Sequence, residues 1–296
     1  MRGRWSGLLI APVLLAGCTA AGGGAPSAEG STAPPPAAAP VGRYVAMGDS
    51  YTSGLGVPPQ GGDPAGCFRS GVNYPALVAE GLKAAEFADV SCSSARTPDL
   101  TAPQKVRGGV NPAQFDALSP ATRLVTLGIG ANDAGFMEVL TRCGMAALGG
   151  RGCRAEFAAE GGADEVSGRI AAAGEKVGAA LAELKRRAPQ ARVLVVGYPE
   201  LFPADPAGCA QALPGVAAAD VAYLTEKQRE LAAELRRRTE AAGAAYVPTS
   251  VPGRDMCAGP AARWVEPLDA AGGLSPLHPN AAGERGMADA VLAAVR

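Results

Sequence analysis

The chain has 296 residues, with 27 Lys and Arg against 28 Asp and Glu, a net charge of −1 and a single histidine. Without a basic block it lacks the concentrated positive field that a phosphate backbone requires, so nucleic acid is excluded as a partner. Hydrophobic residues make up 48% of the chain, and the length suits one large domain with a well-buried core.

At the N-terminus, Arg2 and Arg4 precede the apolar run "LLIAPVLLAG", which is too short for a stable membrane span and is expected to be a signal peptide over residues 1–17. The run "LLAGC" resembles a bacterial lipobox. That resemblance implies a lipidated Cys18 as the first mature residue, export, and anchoring to the outer face of the cytoplasmic membrane. Residues 18–40 are mostly Ala, Gly, Ser and Pro, ending in "APPPAAAP"; they carry too little large apolar surface to offset the entropy of ordering and are expected to form a tether. Residues 41–296 are the expected folded domain.

Within that domain two periods alternate. "RYVAMG", "FADVSC", "RLVTLGIG", "ARVLVVG" and "AAYVPTS" are short apolar, β-branched runs without polar alternation, which predicts strands buried on both faces in a parallel sheet. Between and after them, "NYPALVAEGLKAAE", "ADEVSGRIAAAGEKVGAALAELKRRAP", "ADVAYLTEKQRELAAELRRRTEAAG" and "AAGERGMADAVLAAV" have helical spacing. The expected fold class is therefore α/β, a three-layer α/β/α sandwich on a central parallel sheet. The stretches 52–72 and 134–165 are left as loops. Six cysteines remain after Cys18, namely Cys67, Cys92, Cys143, Cys153, Cys209 and Cys257. An even number in an exported domain argues for disulfides. Six cysteines allow fifteen pairings, of which neighbour-to-neighbour closes the shortest loops. No C-x-x-C pair occurs and only one histidine is present, so no metal is expected.

In such sheets the working residues sit on loops at the carboxyl ends of strands. Three polar constellations fall there: Ser50 in "GDSYTSG" after the first strand, Asn132 in "GIGANDAGF" after the third, and His278 in "LSPLHPN" before the last helix. A serine hydroxyl needs a base to become a nucleophile, and His278 alone can supply an imidazole. Pro279 keeps His278 out of the α region and is expected in the first turn of the last helix. The Ser50 turn is no phosphate loop, because it lacks lysine. Nor is it the nucleophile elbow of α/β-hydrolases, which has glycine two places on where this chain has Thr52. A plain Asp-Ser helix cap is the bland alternative.

Taken in this order, "GDSYTSG", "GIGANDAGF" and "HPN", together with "CFRSGVNYPALVAEGL" and "DVSCSSA", resemble the SGNH (GDSL) hydrolases, in particular secreted actinobacterial esterases and lipases. The resemblance covers most of 41–296. It implies Ser50 as nucleophile and His278 as base, with oxyanion donors from the Ser50 N–H, the Asn132 side chain and a backbone N–H that here belongs to Ser94. That family position is ordinarily glycine. It implies pairing in sequence order, Cys67–Cys92, Cys143–Cys153 and Cys209–Cys257. Where many relatives carry aspartate to orient the histidine, this chain has Ser275, and the backbone carbonyl there is expected to accept from Nδ1–H; Glu266 and Asp269 are not expected to serve. Asp49 and Asp133 are expected to fix their own loops, and Tyr51, Phe68 and Phe136 are candidates for an acyl pocket. The implied activity is hydrolysis of carboxylic esters, small-molecule or lipid, through an acyl-serine and a Ser-His dyad without cofactor, in a monomer. An acyltransferase using the same site, or a non-catalytic binding lipoprotein of this fold, are the alternatives.

Overall fold

The computed structural model describes residues 41–209, 212–270 and 275–296; the expected signal peptide, Cys18 and the tether lie outside the described residues. β1 (Arg43–Gly48) leads into a single helical turn, α1 (Ser50–Ser53). A ribbon of β2 (Gln60–Gly61) and β3 (Arg69–Ser70) precedes α2 (Tyr74–Leu82) and β4 (Glu86–Asp89). A second ribbon, β5 (Gln104–Val106) with β6 (Gly109–Asn111), precedes β7 (Thr122–Gly128). Then come α3 (Phe136–Leu148), α4 (Cys153–Glu156), α5 (Glu165–Arg187) and β8 (Arg192–Val196). α6 (Ala218–Ala241), β9 (Ala245–Val247) and α7 (Ala281–Val295) complete the order.

The five apolar runs form one sheet in the order β4-β1-β7-β8-β9, and every pair is parallel. Side chains of the inner strands alternate between two cores, as the two-residue period of a strand dictates. Val45, Met47, Val125, Leu127, Val193 and Val195 face the larger core, with α3, α5 and α6. Tyr44, Ala46, Leu124, Leu194 and Val196 face the smaller one, with α2 and α7. Both faces are covered, which is why these strands read as unbroken apolar runs. β4 departs from that expectation: it ends at Asp89 and leaves Phe87 exposed, because an edge strand has a neighbour on one side only.

Three disulfides join Cys67 to Cys92, Cys143 to Cys153, and Cys209 to Cys257. The stretch left as a loop from 134 contains α3 and α4. The strand order reverses between β1 and β7, so the loops leaving their carboxyl ends part and open a crevice there.

Candidate active site

Ser50 owes its place to the way β1 ends. Gly48 takes φ 148°, and a Cβ there would lie 2.3 Å from the Gly128 carbonyl oxygen and from Thr52 Oγ1, so the close approach of β1, α1 and β7 admits only glycine. Gln114 holds the Gly48 peptide from both sides, its Oε1 accepting from the N–H at 2.8 Å and its Nε2 donating to the carbonyl at 3.0 Å. Asp49 then caps α1 by accepting from the Tyr51 N–H at 3.0 Å. The bland alternative is thus half true: Asp49 is the cap, and Ser50 is free to point elsewhere.

It points at the histidine. Ser50 Oγ lies 2.8 Å from His278 Nε2 across 228 positions of chain. On the other side of the ring, Nδ1 is 2.8 Å from the Pro276 carbonyl and 3.2 Å from Ser275 Oγ. An Nδ1–H donating to that carbonyl leaves Nε2 as the acceptor facing Ser50. This corrects the expected orienting group by one residue. The Ser275 carbonyl instead accepts from the His278 backbone N–H at 3.2 Å, and Leu277, with φ 61°, turns the chain so that Pro276 meets the ring. Glu266 is engaged by Arg263, and among the described residues no carboxylate contacts Nδ1. Pro279 is not in the last helix: Asn280 caps α7, accepting from the Ala282 and Gly283 N–H groups. Ser50 and His278 are only 7% and 8% exposed, and burial holds the imidazole below its ordinary pKa although the Pro276 carbonyl works the other way.

Asn132 lines the same hollow as Ser50 and His278, with Tyr51, Phe136 and Tyr198 in its walls. Its Nδ2 donates to the Ala95 carbonyl at 3.0 Å, which leaves one amide hydrogen available. Ser94 is not among the lining residues of that hollow. It stands exposed beyond Cys92 with φ 65°, a left-handed backbone that costs a side-chained residue about 1–2 kcal/mol. Among the described residues the Ser50 and Ser94 N–H groups have no protein acceptor. Phe68 is not part of the hollow.

The two aspartates do more than fix their own loops. Asp133 accepts from the Thr97 N–H at 2.9 Å and hydroxyl at 2.6 Å, tying the Asn132 loop to the Ser94 loop. Asp49 Oδ2 accepts from the Tyr198 hydroxyl at 2.6 Å, and that hydroxyl oxygen accepts from the Ala131 N–H at 3.1 Å. Burial pushes the Asp49 carboxyl up to about 7 against the opposing bonds from Tyr198 and Tyr51. Tyr198 and Gln114 carry no motif signal, since their partners lie 149 and 66 positions away in the chain. A hydroxyl aimed at a neutral imidazole nitrogen, beside unpaired N–H donors in a largely apolar hollow, is equipped for nucleophilic attack on a carbonyl carbon.

Comparison with known proteins agrees with that chemistry. A model of the GDSL-like Lipase/Acylhydrolase family matches residues 46–285. The chain is 43% identical over 268 residues to Lipase 2 of Streptomyces coelicolor, covering 87% of each. It is 31% identical to the Lipase of Streptomyces rimosus over 75% of each. Among solved structures it is similar to phospholipase A1 from Streptomyces albidoflavus NA297, with a TM-score of 0.72 and 27% identity, covering 86% of this chain and 99% of that one. The extracellular lipase from Streptomyces rimosus gives a TM-score of 0.70 at 27% identity, covering 86% and 100%.

Proposed function

This chain belongs to the GDSL-like lipase/acylhydrolase family and is a carboxylic ester hydrolase, and from that premise we propose that it acts through a Ser50–His278 dyad and an acyl-serine intermediate. The observation that carries the proposal is the 2.8 Å contact between Ser50 Oγ and His278 Nε2 with Nδ1 held on the Pro276 carbonyl. Nε2 takes the hydroxyl proton as Oγ bonds to the acyl carbon. The carbonyl oxygen becomes an oxyanion and accepts from the Ser50 N–H and Asn132 Nδ2. Collapse breaks the ester C–O bond, the leaving alcohol takes the proton from Nε2, and the acyl group stays on Oγ. Water repeats the sequence: His278 accepts its proton, the hydroxide oxygen bonds to the acyl carbon, and Ser50 departs reprotonated. The imidazolium is stabilised by a carbonyl dipole rather than by a buried carboxylate.

Export is supported by the three disulfides and by a relative described as an extracellular lipase; anchoring through Cys18 rests on the "LLAGC" run. The test is hydrolysis of p-nitrophenyl butyrate by the full chain beside Ser50→Ala, with fluorophosphonate labelling of both. We expect Ser50→Ala to lose at least about 10³-fold in kcat and to take no label. Retained activity or label in the variant overturns the assignment. Transfer of the acyl group to an added alcohol in preference to water would make the site an acyltransferase.

A further inference from the structure

Tyr198 stands just past the carboxyl end of β8, and its backbone is held from both sides. The Gly197 N–H donates to the Val247 carbonyl at 2.9 Å, and the Gly197 carbonyl accepts from the Thr249 hydroxyl at 2.8 Å. On the other side, Gln228 of α6 donates to the Pro199 carbonyl at 2.6 Å and accepts from the Leu201 N–H at 2.9 Å. Thr249 and Gln228 are both buried. The tyrosine is thus a fixed post whose side chain lines the hollow at Ser50.

Its hydroxyl is fully engaged. It donates to Asp49 Oδ2 at 2.6 Å and accepts from the Ala131 N–H at 3.1 Å. A phenol has one hydrogen to give, so Tyr198, although in the wall of the hollow, has none left for a reacting oxygen. Its two partners each adjoin a group of the site: Asp49 precedes Ser50, and Ala131 precedes Asn132. Among the described residues no hydrogen bond runs directly between residues 49–54 and 130–135, and Tyr198 is the one residue bonded to both. The other side-chain ties of the Asn132 loop, from Nδ2 to Ala95 and from Asp133 to Thr97, run instead to the loop after β4. Burial and the Asp49 carboxyl hold the Tyr198 hydroxyl well above the usual phenol range, so it keeps its hydrogen and the bridge persists.

We propose that Tyr198 is a positioning residue that sets the spacing of Ser50 and Asn132, through Asp49 on one side and Ala131 on the other, so that the Ser50 N–H and Asn132 Nδ2 converge on one oxyanion; this rests on the Ser50–His278 reading above. Such donors contribute when aimed at the oxygen as it becomes charged, and a misplacement of about 1 Å can cost about 10²-fold in rate. The bridge therefore acts on kcat, and it acts through Asn132.

Tyr198→Phe removes the bridge and keeps the ring, with its edge-on contact to Tyr51 at 5.0 Å. The experiment measures kcat and KM of the full chain for p-nitrophenyl butyrate in wild type, Tyr198→Phe, Asn132→Ala and the double variant. Tyr198→Phe alone is expected to lower kcat at least about tenfold with KM changed less than about twofold, and to lower it less than about twofold when Asn132 is already alanine. A bond that only steadied the fold, or one that acted through Ser50 and His278, would cost the same factor in both backgrounds. That result overturns the proposal, as does a wild-type kcat in either Tyr198→Phe or Asn132→Ala. Thr249→Val loosens the same post from outside the hollow by removing the bond to the Gly197 carbonyl. It is expected to lower kcat about threefold with the same dependence on Asn132, and it decides by the same comparison should Tyr198→Phe fail to fold. Activity retained in Ser50→Ala overturns the Ser50–His278 reading and this proposal with it, whereas an inactive Ser50→Ala beside equal losses in the two backgrounds overturns this proposal alone.

Discussion

Tyr51 joins the nucleophile's turn to the histidine's. Its hydroxyl donates to the Leu277 carbonyl, its ring lies 4.9 Å from the His278 ring at 37°, and it meets Tyr198 edge-on at 5.0 Å. Burial and the Asp49 carboxyl push that hydroxyl far above the usual phenol range, so it is a donor at every working pH. Leu277 is the residue whose left-handed backbone brings Pro276 onto Nδ1, so the Tyr51 bond acts on the base through the loop that orients it. Tyr51→Phe keeps the ring contacts and removes the bond. A lost buried hydrogen bond costs about 1–3 kcal/mol, and the part of that cost expressed as misorientation of the imidazole should lower kcat about tenfold with KM little changed. The pH profile separates this from simple destabilisation. Burial disfavours the imidazolium, so the neutral, proton-accepting form persists to lower pH and the acid limb of wild-type kcat/KM should have its midpoint below the ordinary imidazole value of about 6.5. A loosened loop admits water, and in Tyr51→Phe the midpoint should move up toward the ordinary value. A variant with wild-type kcat and an unmoved limb would remove Tyr51 from any positioning role.

Helix α3 lines the Ser50 cavity through Phe136, Met137 and Leu140, so what anchors it bears on the site. It is kept in place by its buried stripe, by the Cys143–Cys153 bridge to α4, and by Arg142. That side chain bonds Glu156 and Glu165 and lies 4.6 Å over the Phe157 ring. Cysteines 10 apart close a short loop and those 48 apart a long one. By chain entropy, replacing Cys143 and Cys153 with alanine should cost about 3 kcal/mol, and replacing Cys209 and Cys257 about 4 kcal/mol. Urea denaturation without reductant reads both; equal losses, or the reverse order, would mean that native packing rather than unfolded-chain entropy sets the values. α3 also marks where sequence legibility stopped. The strands were readable because apolar residues on both faces leave an unbroken run, and α5 and α6 because each has one apolar stripe. α3 follows Gly135 with no capping side chain, so no start signal marked it in the sequence, and it passed for a loop. At the site, Ser50, Asn132 and His278 were legible because each sits in a short local motif. Tyr198, Gln114 and the Pro276 carbonyl were not, because their roles come from contacts made only once distant loops meet.

At the scale of the whole molecule, the smaller core between the sheet, α2 and α7 carries an ionisable group that couples folding to pH. Glu284 is fully buried. Its Oε2 accepts from the Tyr74 N–H at 2.7 Å, one of the first-turn donors of α2 that no helical carbonyl can satisfy, whereas Oε1 has no hydrogen-bond partner among the described residues. Burial pushes this carboxyl well above the ordinary range of a glutamate, the Tyr74 bond opposes that, and the nearby Asp89 adds to the rise. A carboxyl with a folded pKa above its unfolded one binds protons more tightly when folded. Its contribution to stability is therefore fully present below about pH 4.5 and is lost as the pH rises toward the folded value. Asp49, pushed up to about 7, acts in the same direction between about pH 4 and 7, but it is common to wild type and to any Glu284 variant and cancels from their difference. In Glu284→Gln the amide oxygen keeps the Tyr74 bond, and the amide NH2 takes the place of the unpartnered oxygen at a cost that does not vary with pH. The variant's stability relative to wild type should therefore improve steadily from pH 5 to pH 8, read as the difference in urea-unfolding free energy with the disulfides intact. A difference that stays flat across that range would mean that Glu284 is already ionised in the fold, with a water or another group on Oε1, and that the α2–α7 face tolerates a buried charge.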